Sequence, residues 1–519
     1  MSKHQKLSED DREFFQWVSE ATFNNPFTDK RRDLDFKMLK MPPNADLPVF
    51  TRVDRLMAEV SSRIQRLESE GKGTLDSYTG EERAIMQVAL LFDDYHKSIA
   101  DFDQLIRDQL KANATSVRVR FASKILDSMA RRNLPVDKRL HYFAVFYQLR
   151  RAYYFIDRGL TGKCPCMKEF RSRLWNNVFT ADLRRYGDLL WNHMEDFSTL
   201  LLGETGTGKG AAAEAIGQSG YIPFDKDKGC FSESFTENFV SINLSQFPEG
   251  LIESELFGHK KGSFTNAVDD HKGQFARCQK HGSVFLDEIG DVAEHIQVKL
   301  LQILQERKFS QVGSHIRHNF YGRVIAATNR PLGALRRSGK FRNDFFYRLC
   351  SDVIQVPPLR QRLKEDPSEL NVLLAPLVTR LTGTESQELT DDIRRSLAKN
   401  PGRSYSWPGN VRELEQAVRR VILTGRYDGD DATVSIDPQD SFVTRINEGA
   451  FTADALMATY CAQLYQRYGS YEEVARRTQL DRRTAKKHLK IGLQFVNKGT
   501  SIGDGRDATP ALRMTDDSE

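Results

Sequence analysis

Apolar residues recur at helical spacing through the first third of the chain. One apolar stripe covers residues 53–67 and a second covers residues 85–106, with Gly71-Lys72-Gly73 between them. An aromatic-rich segment at residues 141–156 continues the helical pattern. We therefore predict that residues 1–175 form a mainly helical N-terminal domain.

The pattern changes at about residue 176. Short apolar runs now alternate with longer helical patterns, which is typical of buried parallel strands in an α/β core. The predicted strands are Thr199–Leu202, Phe239–Ile242, Val284–Leu286 and Val324–Ala327. We predict an α/β core over residues 176–355 and, after Pro357-Pro358, a helical lid over residues 356–428, which together make one domain, 176–428.

The remaining chain predicts a third folded part. A glycine- and aspartate-rich linker at residues 429–450 leads to three short helices at residues 451–495. The polar residues 496–519 are expected to be a disordered tail. The fold class is therefore multidomain, with an all-α domain at the C-terminal end.

Composition excludes a membrane-embedded protein. The 519 residues are 39% hydrophobic and 28% charged, with a net charge of +5, and no apolar run approaches the ~18 residues of a membrane span. Charged residues stand at the N-terminus where a signal peptide would be apolar. We expect a cytoplasmic protein.

The six cysteines are scattered, which fits free thiols in a reducing compartment. Only Cys164-Pro165-Cys166 forms a cluster. Two thiols alone cannot complete a tetrahedral zinc site. We interpret the pair as structural or incidental rather than as a metal or redox site.

A glycine-rich loop directly follows the first predicted strand, in the order strand, loop and helix that a P-loop requires. Its glycines turn backbone N–H groups toward a phosphate, and its lysine reaches the β- and γ-phosphate oxygens of ATP. The loop residues are Gly203, Glu204, Thr205, Gly206, Thr207, Gly208, Lys209 and Gly210. Gly210 stands where many P-loops carry the Ser or Thr that ligates Mg²⁺, so other groups must hold the metal.

Two acids at the end of a second apolar strand supply those groups. In Val284-Phe285-Leu286-Asp287-Glu288, Asp287 can hold Mg²⁺ and Glu288 can polarise the attacking water. Combined with the P-loop, this pair predicts ATP hydrolysis with ATP and Mg²⁺ bound.

At this point the sequence closely resembles the sigma-54-dependent transcription activators, which are AAA+ ATPases of bacteria. The resemblance covers about residues 176–425 and rests on eight strings in the family's order: GETGTGKG, ESELFGHKKGSFTNA, VFLDEIGD, LLQILQERKFSQVG, VIAATN, FRNDFFYRL, VPPLRQR and WPGNVREL. It implies an α/β AAA+ core, a ring that is expected to be a hexamer, and a sensory or regulatory role for residues 1–175.

The resemblance also implies individual roles. Asn243 would sense the γ-phosphate through Glu288, and Asn329 would be a sensor after the fourth strand. Arg342 and Arg348 match arginines that enter the neighbouring subunit's site, where a guanidinium can accelerate phosphoryl transfer by roughly 10³–10⁵. Arg412 matches a lid arginine that contacts nucleotide in its own subunit.

The loop that contacts the sigma factor in this family normally reads GAFTGA. Here it reads Gly262-Ser263-Phe264-Thr265-Asn266-Ala267, so the contact pair Phe264 and Thr265 is present. Asn266 replaces a glycine and restricts the backbone, although Asn tolerates positive φ better than most residues. Whether Asn266 impairs engagement of sigma-54 is left open.

The C-terminal segment has the pattern of a helix-turn-helix. Asp481 is a suitable N-cap for a second helix whose exposed residues can reach bases and phosphates. These residues are Arg482, Arg483, Thr484, Lys486 and Lys487. The segment resembles the Fis-type DNA-binding domain of many such activators, with Gln479 at the turn position that glycine usually holds.

The sequence therefore favours an activator that binds upstream double-stranded DNA and uses ATP to remodel RNA polymerase holoenzyme containing sigma-54. Two alternatives stay open. One is an AAA+ DNA-binding regulator that acts without sigma-54, as a repressor or as a remodeller of another protein, which Asn266 favours. The other is a DNA-binding module in which nucleotide drives assembly alone, which the Asp287-Glu288 pair argues against.

Overall fold

The computed structural model describes residues 6–42, 45, 47–265, 267–402, 404–429 and 451–497. Within this range the chain divides after Gly429 into two compact units. Asn266, residues 430–450 of the expected linker and residues 498–519 of the expected tail lie outside the described residues, so the predictions made for them stay predictions.

The first part of the chain is helical from Glu9 to Phe179. Its buried positions follow the predicted stripes, as in the helix that buries Ile85, Met86, Ala89 and Phe92. The helices are α1 (Glu9–Phe23), α2 (Asp29–Met38), α3 (Val49–Ser69), α4 (Gly80–Lys97), α5 (Ile99–Ala112), α6 (Ala122–Arg131), α7 (Arg139–Gly159) and α8 (Pro165–Phe179).

A five-stranded parallel sheet follows, flanked by helices. The segments in chain order are α9 (Leu183–Arg185), β1 (Thr199–Leu202), α10 (Lys209–Gly217), β2 (Phe224–Asp225), β3 (Cys230–Phe231), β4 (Phe239–Asn243), α11 (Glu249–Phe257), α12 (Gln274–Arg277), β5 (Ser283–Asp287), α13 (Glu294–Glu306), β6 (Lys308–Ser310), β7 (Arg317–Asn319), β8 (Arg323–Thr328), α14 (Leu332–Arg337), α15 (Asn343–Leu349) and β9 (Asp352–Gln355).

The strand order of this sheet is β4-β5-β8-β1-β9, and all four pairings are parallel. All four predicted strands are present, and β9 is a fifth that the sequence pattern did not reveal. Because the strands are parallel, their carboxyl ends share one edge, where ligands of open α/β sheets bind. The P-loop and Asn329 follow strands at this edge, and Asp287 is the last residue of β5.

Four helices after the sheet pack around a core of their own, which includes Leu374, Ile393, Trp407 and Leu414. They are α16 (Leu359–Glu365), α17 (Glu369–Thr382), α18 (Gln387–Leu397) and α19 (Asn410–Thr424). We call residues 359–424 the lid segment.

The second unit contains three described helices: α20 (Ala453–Tyr468), α21 (Tyr471–Thr478) and α22 (Arg482–Asn497). Its small core includes Cys461, Leu464, Val474 and Leu489. Among the described residues, no helix is long and apolar enough to cross a membrane.

The N-terminal helices share their core with the α/β part. Phe143 of α7 is fully buried, and its ring contacts Phe224 and Phe231 of the β2–β3 hairpin at 4.9 and 5.8 Å between centroids. A second shared core joins Leu174 of α8 to Leu201 of β1. The described residues up to Gly429 therefore form one compact unit, and packing between side chains crosses the expected boundary at 175/176.

We predict that Phe143→Ala destabilises the protein by about 3–5 kcal/mol, because it leaves a cavity where the helices meet the hairpin. Leu140→Ala on the same helix is the matched control, since Leu140 is 38% exposed and should cost much less. The measurement is urea unfolding followed by circular dichroism. Equal shifts of the two midpoints would contradict the shared core.

Candidate functional site

The P-loop connects β1 to the N-terminus of α10. Lys209 is buried, and its Nζ donates to the carbonyl oxygens of Gly203 at 2.9 Å and Glu204 at 3.1 Å. These bonds hold the ammonium inside the loop, where phosphate oxygens would be received. Burial lowers the pKa of Lys209, and the carboxylates of Glu288 and Asp287 oppose that shift.

Gly206 lies where the P-loop meets the lid segment. Its φ is +79°, and an added Cβ would come within 2.2 Å of the carbonyl oxygen of Gly409. The carbonyl oxygen of Gly206 accepts the N–H of Val411 at 3.0 Å. Because two backbones approach this closely, no side chain fits at position 206.

The two predicted acids end β5 beside this loop. Burial raises the pKa of the Asp287 carboxyl, while the positive charge of Lys209 opposes the shift. Asp287 is half-buried, and because the neighbouring positive charges only partly offset the cost of desolvating its carboxylate, the position suits a bound cation. Glu288 adopts a left-handed conformation with φ +56°, and its carboxylate accepts the N–H of Asn329 at 3.4 Å.

The two predicted asparagines lie at the same edge, with different partners. Nδ2 of Asn329 donates to Oγ1 of Thr205 at 2.9 Å, so Asn329 contacts both the P-loop and Glu288. Nδ2 of Asn243 donates to Asp287 at 3.4 Å, and its Oδ1 accepts from Ser245. The family resemblance implies a contact between Asn243 and Glu288. In the structure the carboxylate that Asn243 contacts is that of Asp287.

The three predicted arginines differ in position. Arg412 begins α19 against the P-loop, with its Cβ near Gly206, and its charge acts on Lys209 and Asp287. Arg342 pairs with Glu294 at 2.9 Å and Asp344 at 2.8 Å. Arg348 is exposed, and its Nε donates to the carbonyl oxygen of Leu304.

Two residues at this site were missed by the sequence analysis. Arg360 of α16 makes a two-pronged ion pair with Glu204 of the P-loop at 2.6 and 2.5 Å. The hydrogen bonds from Arg360 are the main reason why the pKa of Glu204 is lowered. Nδ2 of the fully buried Asn410 donates to Oε2 of Glu204 at 3.2 Å and to the carbonyl oxygen of Thr205 at 3.1 Å.

Both missed residues join the lid segment to the P-loop. They stand in the strings VPPLRQR and WPGNVREL, which carried the family resemblance without pointing to individual contacts. Their separations from Glu204 are 156 and 206 residues, so spacing along the chain gave no signal.

The predicted sigma-contact loop lies away from the P-loop in sequence and is closed at its base. The N–H of Gly262 donates to the carbonyl oxygen of Ala267 at 2.8 Å, and Lys260 pairs with Asp270 at 2.6 Å. Phe264 is 38% exposed, and Thr265 is exposed. The ring of Phe264 also contacts the ring of His259 edge-on, at 4.9 Å between centroids.

The second unit presents basic side chains on one helix. Asp481 accepts the N–H groups of Arg483 at 2.9 Å and Thr484 at 3.0 Å, so it caps α22 as the sequence predicts. Gln479 ends α21 with φ +56°, the left-handed conformation for which glycine is the common choice at such turns. Ala485 and Leu489 are buried, whereas Arg482, Arg483, Lys486 and Lys487 are exposed.

The parallel sheet, P-loop and paired acids define an α/β P-loop ATPase core of the AAA+ class. The family model of the Sigma-54 interaction domain matches residues 188–355. The predicted resemblance to sigma-54-dependent activators is thereby confirmed, and residues 188–355 carry a sigma-54 interaction domain, which is an AAA+ ATPase domain.

Individual relatives agree with this assignment. The Nif-specific regulatory protein of Azotobacter vinelandii is 39% identical over 263 residues, which are 50% of this chain and 45% of that protein. The DNA-binding transcriptional regulator NtrC of Azospirillum brasilense is 40% identical over 264 residues, 50% of this chain and 47% of the relative. The matches thus span about half the length of these relatives.

A solved structure of NtrX from Brucella abortus in complex with ATP is also similar. It has 19% sequence identity and a TM-score of 0.39, and the match covers 71% of this chain and 80% of that one.

We predict that Asn410→Asp weakens ATP binding at least tenfold, a loss of about 1.4 kcal/mol. Aspartate keeps the acceptor for the N–H of Leu359 and tolerates the left-handed backbone, but it places a negative charge against Glu204. Binding of a fluorescent ATP analogue measures the effect. The exposed Asn371→Asp is the matched control, and equal affinities of both variants would contradict the lid contact.

Proposed function

We propose that the protein is an ATP-driven transcription activator, which binds upstream DNA and remodels sigma-54 RNA polymerase holoenzyme into an open complex. The observation that carries this proposal is one AAA+ domain holding both an ATP site closed by its lid segment and a loop exposing Phe264 and Thr265. The ATP site would convert the binding energy of the nucleotide into motion. The loop would offer a contact to the sigma factor.

In the proposed reaction, backbone N–H groups of the P-loop and Lys209 bind the phosphates of ATP. Asp287 would hold Mg²⁺, which neutralises developing charge on the phosphates. Glu288 orients and polarises the attacking water, and Asn329 positions Glu288 relative to Thr205. Arg360 and Asn410 keep the lid segment against the loop during turnover.

A ring of subunits, expected to be a hexamer, would complete the site. Arg342 is held by Glu294 and Asp344, and these hydrogen bonds raise its pKa, so it stays charged. Arg348 is exposed on the same helical segment. Arg342 is half-buried and Arg348 is exposed, which supports the proposal that both enter a neighbouring subunit's site, where they would stabilise the charge of the transferring γ-phosphoryl group.

For the second unit we propose a helix-turn-helix in which α22 enters the major groove. The exposed Arg482, Arg483, Lys486 and Lys487 support this role, with Thr484 at the start of the same helix. Arg482 already pairs with Glu472 of α21 at 2.7 Å, so Arg483 and Lys487 are the better candidates for phosphate contacts.

A regulator that acts without sigma-54 is the second candidate. The observation that favours it is Asn266, which stands where the family's contact loop has glycine. The two candidates share the ATPase site and differ at the loop, so the loop is the place to test them.

We predict that Thr265→Ala keeps at least about half of the ATPase activity and the thermal stability but fails to open promoters, because an exposed loop residue contributes little to the core. The measurement is open-complex formation with sigma-54 holoenzyme. Glu288→Gln is the matched control, expected to bind ATP and to hydrolyse it at least about a hundredfold more slowly.

Undiminished activation by both Thr265→Ala and Phe264→Ala would exclude the proposed sigma contact. If the unmodified protein were inactive and Asn266→Gly restored activation, the second candidate would be favoured instead.

We predict that the double variant Arg483→Ala/Lys487→Ala weakens DNA binding and lowers its salt dependence, by roughly one unit of slope for each cation that no longer neutralises a phosphate. The measurement is fluorescence anisotropy with duplex DNA over a range of salt concentrations. Arg467→Ala, which removes an exposed charge from α20, is the control. An unchanged slope in the double variant would place the DNA-binding surface elsewhere.

A further inference from the structure

The turn before α8 lies directly on the lid segment. Gly162 has φ +149°, and an added Cβ would come within 2.4 Å of a carboxylate oxygen of Glu369 and 2.7 Å of Nη2 of Arg362. The N–H groups of Lys163 and Cys164 donate to Oε2 of Glu369 at 2.7 and 3.3 Å. The turn is therefore fixed against α16 and α17 by its backbone.

This docking brings two thiols to a carboxylate of α16. The Sγ atoms of Cys164 and Cys166 lie 3.5 Å apart. The N–H of Cys166 donates to Oε2 of Glu365 at 2.7 Å, which holds that carboxylate beside the thiols. One ligand atom from each of the three residues lies within 4.8 Å of the other two.

The separation of the thiols suits one tetrahedral ion. Two thiolates each about 2.3 Å from a zinc ion would be about 3.8 Å apart, close to the observed 3.5 Å. Cys164 is buried, Cys166 is half-buried and Glu365 is exposed, so one side of the cluster is open to solvent. Glu369 is not available as a ligand, because it accepts the backbone N–H groups and pairs with Arg362 at 2.6 Å.

We propose that Cys164, Cys166 and Glu365 bind one thiophilic divalent cation of the zinc class, which clamps the turn before α8 to lid helix α16. Two sulfur ligands select such a cation over Mg²⁺ or Ca²⁺. Three protein ligands leave a fourth position for water, which is the pattern of an exchangeable site rather than a closed structural one.

Binding of the cation displaces the protons of the two thiols. Burial raises the pKa of both thiols, so each carries its proton at neutral pH until a cation binds. The cation therefore takes two thiolates, and about two protons pass to the solvent. The clamp also fixes α16, the helix whose Arg360 pairs with Glu204 of the P-loop.

The test is titration of the reduced, metal-free full-length protein, first with Co²⁺ alone and then with Zn²⁺ alone. We expect one equivalent of Co²⁺ to bind with a thiolate-to-cobalt absorption band, and Zn²⁺ to displace it. Cys164→Ser/Cys166→Ser should lose the band, whereas the control Cys230→Ser should keep it. Hydrogen exchange in residues 160–166 and 359–365 should slow with Zn²⁺ in the unmodified protein.

Glu365→Gln is a second variant that tests the site even if the cysteine variant fails to fold. It is expected to fold, because Glu365 is exposed and glutamine can still accept the N–H of Cys166. We expect its Zn²⁺ affinity to fall at least about tenfold, with unchanged thermal stability of the metal-free protein. The proposal is overturned if no thiolate band appears, if the double serine variant binds Zn²⁺ as tightly as the unmodified protein, or if Glu365→Gln leaves the affinity unchanged. These measurements use no ATPase or transcription readout, so they do not depend on the proposed function.

Discussion

The close approach of two backbones, at Gly206 of the P-loop and at Gly409–Val411 of the lid segment, is the constraint on which the ATP site depends. No side chain fits between them, and the hydrogen bond from Val411 to Gly206 fixes the spacing. Arg360 and Asn410 also bind Glu204, so that two side chains add to this contact. The lid segment is thus joined to the P-loop by both backbone and side-chain contacts.

The N-terminal helices are packed into the same unit rather than attached to it. Arg151 of α7 is fully buried and donates to the carbonyl oxygens of Gln218 and Gly220, at the end of the helix that begins with Lys209. The turn before α8 meets the lid segment on another side. Two separate contacts thus link the N-terminal helices to elements that touch the nucleotide site.

Much of this architecture could be predicted from the sequence, for physical reasons. The inner strands β1, β5 and β8 are buried along almost their whole length and show mainly as apolar runs, as a parallel strand covered on both faces requires, and the P-loop is defined by local backbone geometry. The edge strand β4 was predicted from Phe239, Val240 and Ile242, although Ser241 between them is exposed. The fifth strand, Asp352–Gln355, was missed because its exposed Gln355 and half-buried Asp352 break the apolar run.

The contacts that could not be predicted are those between distant segments. Arg360, Asn410 and Glu365 each meet their partner across more than 150 residues of chain. The Cys164-Pro165-Cys166 cluster was interpreted as structural or incidental because the sequence shows two thiols and does not reveal that Glu365 of the lid segment lies beside them. Spacing along the chain carries no information about such encounters, which depend on how the helices dock.

We propose that ATP turnover at this site is used to open promoters bound by sigma-54 polymerase. The most direct measurement is open-complex formation by the unmodified protein on a promoter bearing its binding site, with ATP or a non-hydrolysable analogue, and with holoenzyme containing either sigma-54 or another sigma factor. We expect open complexes to form with ATP and sigma-54 together and in no other combination. Equal opening with the analogue, or with the other sigma factor, would contradict it.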